Sequence, residues 1–138
     1  MMIVDTGFWL ALANQDDKYH TKAKQVMQNL REPLVTTWFV FTETCYLLLT
    51  RLGNHSQVLF IQNFLAGRFE VFELKNHQMR RVQELLERYN DLPMDLADAS
   101  LVVLAEHLGH GRILTCDRRD FLTYRWNNTQ TFENLFLD

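Results

Sequence analysis

Six acids in this chain stand at the ends of apolar segments or inside one. Asp5 ends the apolar run Met2-Ile3-Val4. Glu43 lies inside the apolar stretch WFVFTETCYLL. Asp95 and Asp98 open the segment DLADASLVVLAEHLG, and Asp117 follows Ile113-Leu114-Thr115-Cys116, with Asp120 three residues further on. Ionised carboxylates gathered in one empty crevice repel each other strongly. A hard divalent cation resolves that repulsion. Mg²⁺ or Mn²⁺ takes carboxylate and water oxygens in octahedral geometry, lowers the pKa of a bound water and stabilises charge on a phosphoryl oxygen. The chemistry implied is phosphodiester hydrolysis.

Each acid also has an ordinary explanation. Asp5 could start a turn or cap a helix. A strand end in an open α/β sheet is nevertheless where ligand crevices form. Glu43 has Phe39, Val40, Tyr46 and Leu47 as its helical neighbours. A carboxylate on so apolar a face is expected to be at least half buried, at a cost unless it is paired. The ordinary alternative is a salt bridge to an arginine. Asp95 is a natural N-cap, and Asp98 would sit in the first turn favoured by the helix dipole. Capping explains Asp95 better than Asp98, whose neighbours Leu101 and Val102 are apolar. Asp95 therefore reads as mainly a cap and Asp98 as mainly a ligand. Of Asp117 and Asp120, position favours Asp117 as the inward one.

The elements that must position these acids can be read from local pattern. Met2 to Val4 reads as a buried strand, and Thr6 as the cap of a helix from Phe8 to Ala13. A helix from His20 to Leu30 turns Ala23, Val26, Met27 and Leu30 inward, and Pro33 ends that unit. Leu34 to Thr37 is a second strand, with Thr37 capping a helix from Trp38 to Leu52 that stops at Gly53. A helix from Gln57 to Ala66 and a strand from Arg68 to Leu74 follow. Asn76 is expected to cap a charged helix running to Tyr89, with Met79, Val82, Leu85 and Leu86 inward. The Asp95–Asp98 helix then leads through Gly109-His110-Gly111 to a strand from Arg112 to Thr115. RRDFLTYRW has no clear periodicity, Asn127-Asn128 marks a turn, and Thr131 to Leu137 is a short strand or irregular. Strands alternating with helices predict a three-layer α/β/α sandwich on a mainly parallel sheet.

Composition narrows the classes. The chain has 138 residues, enough for one domain over residues 1–138 and too few for two. A net charge of −3 argues against a protein that simply coats nucleic acid. No apolar run approaches the ~20 residues of a membrane span, and the start lacks the basic region of a signal peptide. Cys45 and Cys116 are far apart with no metal-site spacing, so reduced thiols and a cytoplasmic location are expected. Trp9, Trp38 and Trp126 could stack bases. Helical spacing among apolar residues favours core or dimer packing for Trp9 and Trp38. Arg118 and Arg119 could meet phosphates, or lie in a solvated loop.

Taken in order, IVDTGFWLAL, TTWFVFTETCYLL, DLADASLVVLAEHLG and RILTCDRRDF resemble the PIN-domain family, and within it the VapC-type toxins of prokaryotic toxin–antitoxin pairs. The resemblance implies a Mg²⁺- or Mn²⁺-dependent ribonuclease acting on RNA. Its four acids fall on Asp5, Glu43, Asp98 and Asp117. Asp5 and Asp98 would be direct metal ligands, while Glu43 and Asp117 would act through water or a second metal. Thr6 and Thr115 match hydroxyl positions that line such sites, with Asp95 and Asp120 as auxiliary candidates. Asp16-Asp17 with His20 matches the start of the second helix, where a structural role is expected. The resemblance also implies a homodimer and a cognate antitoxin protein that holds the enzyme inactive.

Two other readings compete. A small Mg-dependent phosphatase or phosphotransfer domain also puts acids at strand ends, but the first strand is followed by Asp5-Thr6-Gly7 and no lysine ends a late strand. A non-catalytic binding subunit would use the same acids as caps and salt bridges.

Overall fold

The computed structural model describes residues 1–137, so Asp138, the last residue of the expected domain, lies outside the described residues. The chain forms β1 (Met2–Val4), α1 (Thr6–Ala13), α2 (His20–Asn29), β2 (Leu34–Thr37), α3 (Trp38–Leu52), α4 (Asn54–Leu65) and β3 (Glu70–Phe72). A 3₁₀ turn (Asn76–Gln78) leads into α5 (Met79–Arg88), α6 (Leu96–Leu108), β4 (Arg112–Leu114) and α7 (Arg118–Thr123). The end of the chain is β5 (Arg125–Trp126), β6 (Gln130–Thr131) and β7 (Glu133–Asn134).

The five-stranded sheet runs β3-β2-β1-β4-β7, every pair parallel, and β5 and β6 form a separate antiparallel ribbon. Helices flank the sheet in the three-layer α/β/α arrangement expected from the alternating pattern. From β1 the chain moves to β2 and β3 on one side, then returns to place β4 on the other. The strand order therefore reverses between β1 and β4, and in open α/β sheets such a reversal opens a crevice beyond the carboxyl ends of the strands. Register places Ile3 opposite Ile113 and Val4 opposite Leu114. The next step along both strands brings Asp5 beside Thr115.

The core is one cluster built on β1, β4 and α6. Met2, Ile3, Val4, Leu101, Leu104, Ile113 and Leu114 are all fully buried. Strands covered on both faces read as unbroken apolar runs rather than alternating ones, as MIV and RIL do. Gly109 ends α6 in the left-handed region at φ 78°, where a side chain would be strained, and its N–H returns to Ala105 O at 2.8 Å.

Several local expectations need correction. Asp5, not Thr6, caps α1: its Oδ1 accepts from the Thr6 N–H at 2.7 Å, and the helix begins at Thr6. Helix α4 starts at Asn54 rather than Gln57. Asn76 opens the 3₁₀ turn instead of capping α5, and Met79 at the start of α5 faces solvent. RRDFLTYRW resolves into α7 and β5, and the tail into two two-residue strands. Trp9 is buried in the core, while Trp38 is 41% exposed, so core packing does not cover it. Other expectations hold: Thr37 Oγ1 accepts from Val40 N–H at 3.2 Å, both cysteines are free, and Asn127 and Asn128 turn the chain with positive φ.

Candidate active site

The crevice at the strand-order reversal gathers the acids. Asp5 leaves β1 with its N–H bonded to Leu114 O at 3.0 Å, so the β1–β4 ladder itself sets its position. Its carboxylate is held from two sides. Oδ1 accepts from Thr6 N–H, and Oδ2 accepts from Thr115 Oγ1 at 2.8 Å. Thr115 Oγ1 in turn accepts the N–H of Asp117 at 2.9 Å, which fixes the turn out of β4. Glu43 reaches in from α3, where Thr6 Oγ1 donates to its Oε2 at 3.1 Å.

Helix α6 contributes Asp98 from its first turn. Asp95 caps that helix as expected, its Oδ1 accepting from Asp98 N–H at 2.9 Å. The apolar neighbours Leu101 and Val102 are buried, and Asp98 is buried with them. Its Oδ2 accepts from the hydroxyl of Tyr124 at 3.2 Å.

Asp98, Asp117 and Asp120 each bring a carboxylate oxygen within 4.8 Å of the others. Here the structure departs from the sequence reading. Asp120 is 7% exposed and faces the cluster, while Asp117 is only partly buried. The short helix α7 causes this, because a residue three places along a helix returns to the same face. Asp5 and Glu43 stand beside this trio: the charge of Asp5 raises the pKa of Asp98, and the charges of Glu43 and Asp117 raise that of Asp5. Glu43 is partly buried as expected, though Tyr46 on the same helix is 63% exposed and does not help to cover it.

The electrostatics follow from burial that hydrogen bonds only partly offset. Desolvation pushes Asp5 up to about 6 and Asp98 up to about 8. Burial also raises Glu43, with Asp95 adding to the effect and the Thr6 hydroxyl opposing it. Asp117 is raised by burial and then by its hydrogen bond and charge repulsion with Asp120. Among the described residues no lysine or arginine forms an ion pair with Asp5, Glu43, Asp98 or Asp117; Arg119 Nε lies 3.8 Å from Asp120 Oδ1 on a largely exposed side chain. Burial pushes the nearby Cys116 thiol up to about 12, so no thiolate is on offer as a nucleophile.

Buried carboxylates with no basic partner need either protons or a cation. A donor set made only of oxygens suits a hard divalent ion of the Mg²⁺ or Mn²⁺ type rather than a soft one. Thr6 and Thr115 act as the hydroxyls that aim the acids. The residue that the sequence reading passed over is Tyr124, hidden in a segment with no periodicity; its signal was an aromatic four places after Asp120.

Comparison with known proteins agrees with this geometry. The family model of the PIN domain matches residues 2–126. Ribonuclease VapC26 of Mycobacterium tuberculosis is 28% identical over 124 residues, which span 90% of this chain and 92% of the relative. The 23S rRNA-specific endonuclease VapC20 of the same species is 29% identical over 100 residues, 72% of this chain and 76% of its own. The crystal structure of VapC20, described as a sarcin-ricin loop cleaving toxin, superposes with a TM-score of 0.79 at 25% identity, covering 85% of this chain and 90% of that one. The strand order, the acid crevice and the match over residues 2–126 agree: the chain belongs to the PIN domain family.

Proposed function

We propose that this protein is a divalent-cation-dependent endoribonuclease, the toxin of a VapBC-type toxin–antitoxin pair. The observation that carries the reading is the convergence of Asp98, Asp117 and Asp120 within 4.8 Å, with Asp5 and Glu43 beside them and no basic side chain paired with Asp5, Glu43, Asp98 or Asp117 among the described residues. The names of the relatives, ribonuclease and rRNA-specific endonuclease, support RNA as the substrate class.

Asp98, Asp117 and Asp120 would hold the ion with Asp5, and Mg²⁺ and Mn²⁺ are the ions the donor set favours. When bound, the ion supplies Lewis acidity toward a phosphoryl oxygen and lowers the pKa of water. The chain's own groups do the rest. Thr115 and the Thr6 N–H fix both oxygens of Asp5, and the Thr6 hydroxyl fixes one oxygen of Glu43. Glu43 Oε1 is not engaged by Thr6, and burial has already raised the affinity of this side chain for a proton. Glu43 is thus the group suited to take the proton released in hydrolysis. Phosphotransfer through Asp5 is less favoured, since Asp5-Thr6-Gly7 offers no second acid two residues on and no lysine ends a late strand.

The partners follow from the outside of α3 and α4. Trp38, Tyr46, Leu49, Leu52, Val58 and Leu65 are all substantially exposed there. An apolar face of this kind marks a protein interaction surface. It suits a second copy of the chain or the cognate antitoxin. No helix among the described residues is long and apolar enough to cross a membrane, and a cytoplasmic site of action accords with an RNA substrate.

The test is cleavage of total RNA by the purified protein with Mg²⁺ or Mn²⁺, with and without EDTA. Cleavage that needs the ion and disappears in Asp98→Asn supports the reading. Cleavage that survives chelation, or an Asp98→Asn protein as active as the parent, overturns it.

A further inference from the structure

Tyr124 has no place in the sequence pattern of the acids, yet it touches one of them. Its side chain is 0% exposed, packed edge-on against Phe121 at 5.1 Å and Tyr89 at 5.2 Å. Its backbone N–H closes α7 onto Asp120 O at 2.9 Å, so its position is tied to the helix that follows Asp117 and carries Asp120. Its hydroxyl donates to Asp98 Oδ2 at 3.2 Å, which bridges α7 to α6. No other side chain or backbone group among the described residues donates to the Asp98 carboxylate.

The plain alternative is that a buried tyrosine merely finds an acceptor for its hydroxyl. The neighbouring tyrosine shows what that looks like. Tyr89 lies in the same aromatic cluster, and its hydroxyl accepts from the backbone N–H of Arg125 at 3.0 Å rather than bonding to an acid of the crevice. Tyr124 instead spends its one donor on a carboxylate of the three-acid cluster. A carboxylate has about four lone-pair sites. A phenol on Oδ2 leaves Oδ1 free and holds the plane of the carboxylate against rotation about the side chain. Such a donor also favours the ionised form, opposing the burial that raises Asp98.

We infer that Tyr124 is a positioning residue for Asp98. Its hydroxyl, anchored through Phe121, Tyr89 and the end of α7, orients the Asp98 carboxylate toward Asp117 and Asp120 and thereby sets the affinity of the crevice for a divalent cation. The inference rests on the cation reading above and goes beyond it by assigning the group that aims the carboxylate.

The experiment measures Mn²⁺ uptake by the full chain through loss of the free-ion paramagnetic resonance signal, in the parent, Tyr124→Phe and Tyr89→Phe. Groups that orient a ligand typically matter about 10- to 100-fold in metal affinity. Tyr124→Phe should weaken Mn²⁺ binding by about that factor, with RNA cleavage recovering most of its rate at saturating Mn²⁺. Tyr89→Phe should lower the melting temperature while leaving Mn²⁺ affinity unchanged. Equal affinity in Tyr124→Phe and the parent overturns the inference, as does an equal loss in Tyr89→Phe. Should Tyr124→Phe fail to fold, 4-fluorophenylalanine and 4-aminophenylalanine at position 124 replace it, since they fill the same space without and with a donor. Higher affinity in the amino variant supports the inference, and equal affinity overturns it. A parent chain that takes up no Mn²⁺ instead sinks the cation reading itself.

Discussion

Thr115 Oγ1 donates to Asp5 Oδ2 at 2.8 Å, joining the ends of β1 and β4 across 110 residues of chain. The same oxygen accepts from Asp117 N–H, so one buried hydroxyl sets an acid on each side of the strand-order reversal. Asn134 holds the hydroxyl's own backbone, its side-chain amide donating to Thr115 O at 3.1 Å. The tail of the chain thus braces the site from behind.

Removing that hydroxyl without changing shape tests the brace. Thr115→Val should lower divalent-ion affinity and RNA cleavage by about 10- to 100-fold, the usual effect of losing a group that orients a ligand. Leaving buried polar groups unpaired should cost about 1–3 kcal/mol of stability. Thr115→Ser, which keeps the oxygen, should stay within a few-fold of the parent. Cleavage rates and urea denaturation of the two variants check this.

The acids make stability depend on pH in an unusual direction. Burial pushes Asp5 up to about 6 and Asp98 up to about 8, against ~3.9 for an unfolded aspartate. Above ~3.9 the folded chain keeps protons that the unfolded chain has released, so stability declines as pH rises. The contribution of Asp5 levels off above about 6 and that of Asp98 above about 8. In EDTA the urea midpoint should therefore be lower at pH 8 than at pH 5. Asp98→Asn should flatten the slope, and saturating Mn²⁺ should restore the midpoint at pH 8 by binding only the folded state. A midpoint that rises with pH in EDTA would contradict the burial of unpaired acids.

Asp120 should matter as much as Asp117. It is the more buried of the two and belongs to the trio within 4.8 Å. Asp120→Asn is expected to weaken Mn²⁺ binding by at least 10-fold, the lower end of what ligand-shell changes cost. Titration of both single variants by calorimetry distinguishes this from a solvated helix acid, which would leave affinity unchanged.

Gly111 reports on the brace at the other end of β4. A Cβ there would lie 2.5 Å from Trp126 Nε1 and 3.2 Å from Phe132 Cα. Gly111→Ala must displace the indole that donates to Thr131 O at 3.1 Å. Overpacking of this kind costs about 1–3 kcal/mol, which thermal unfolding would show as a clear drop in Tm.

How much of this could be read from sequence depended on whether apolar pattern bordered the residue. Asp5 borders the unbroken apolar run MIV, and Asp98 and Asp117 are each separated by two residues from LVVLA and IL, runs that become covered strands or the buried helix α6. Their ends mark where the chain leaves the core. Asp120 lies in α7, only six residues long, and Tyr124 just past its end, so neither shows a helical period against the flanks. Thr6 and Asp5 exchanged capping roles because either residue type can cap, and the backbone alone decides which one precedes the first helical turn. The outer face of α3 was only partly legible. Trp38 and Tyr46 have the composition of a core, but they stay 41% and 63% exposed.

If the acids of distant segments meet at one cation, diffraction from crystals grown with Mn²⁺ will locate it. An anomalous difference peak is expected within coordination distance of Asp98 and its neighbours Asp117 and Asp120, absent from crystals of Asp98→Asn. A peak elsewhere, or none in crystals of a protein that still cleaves RNA, would contradict it.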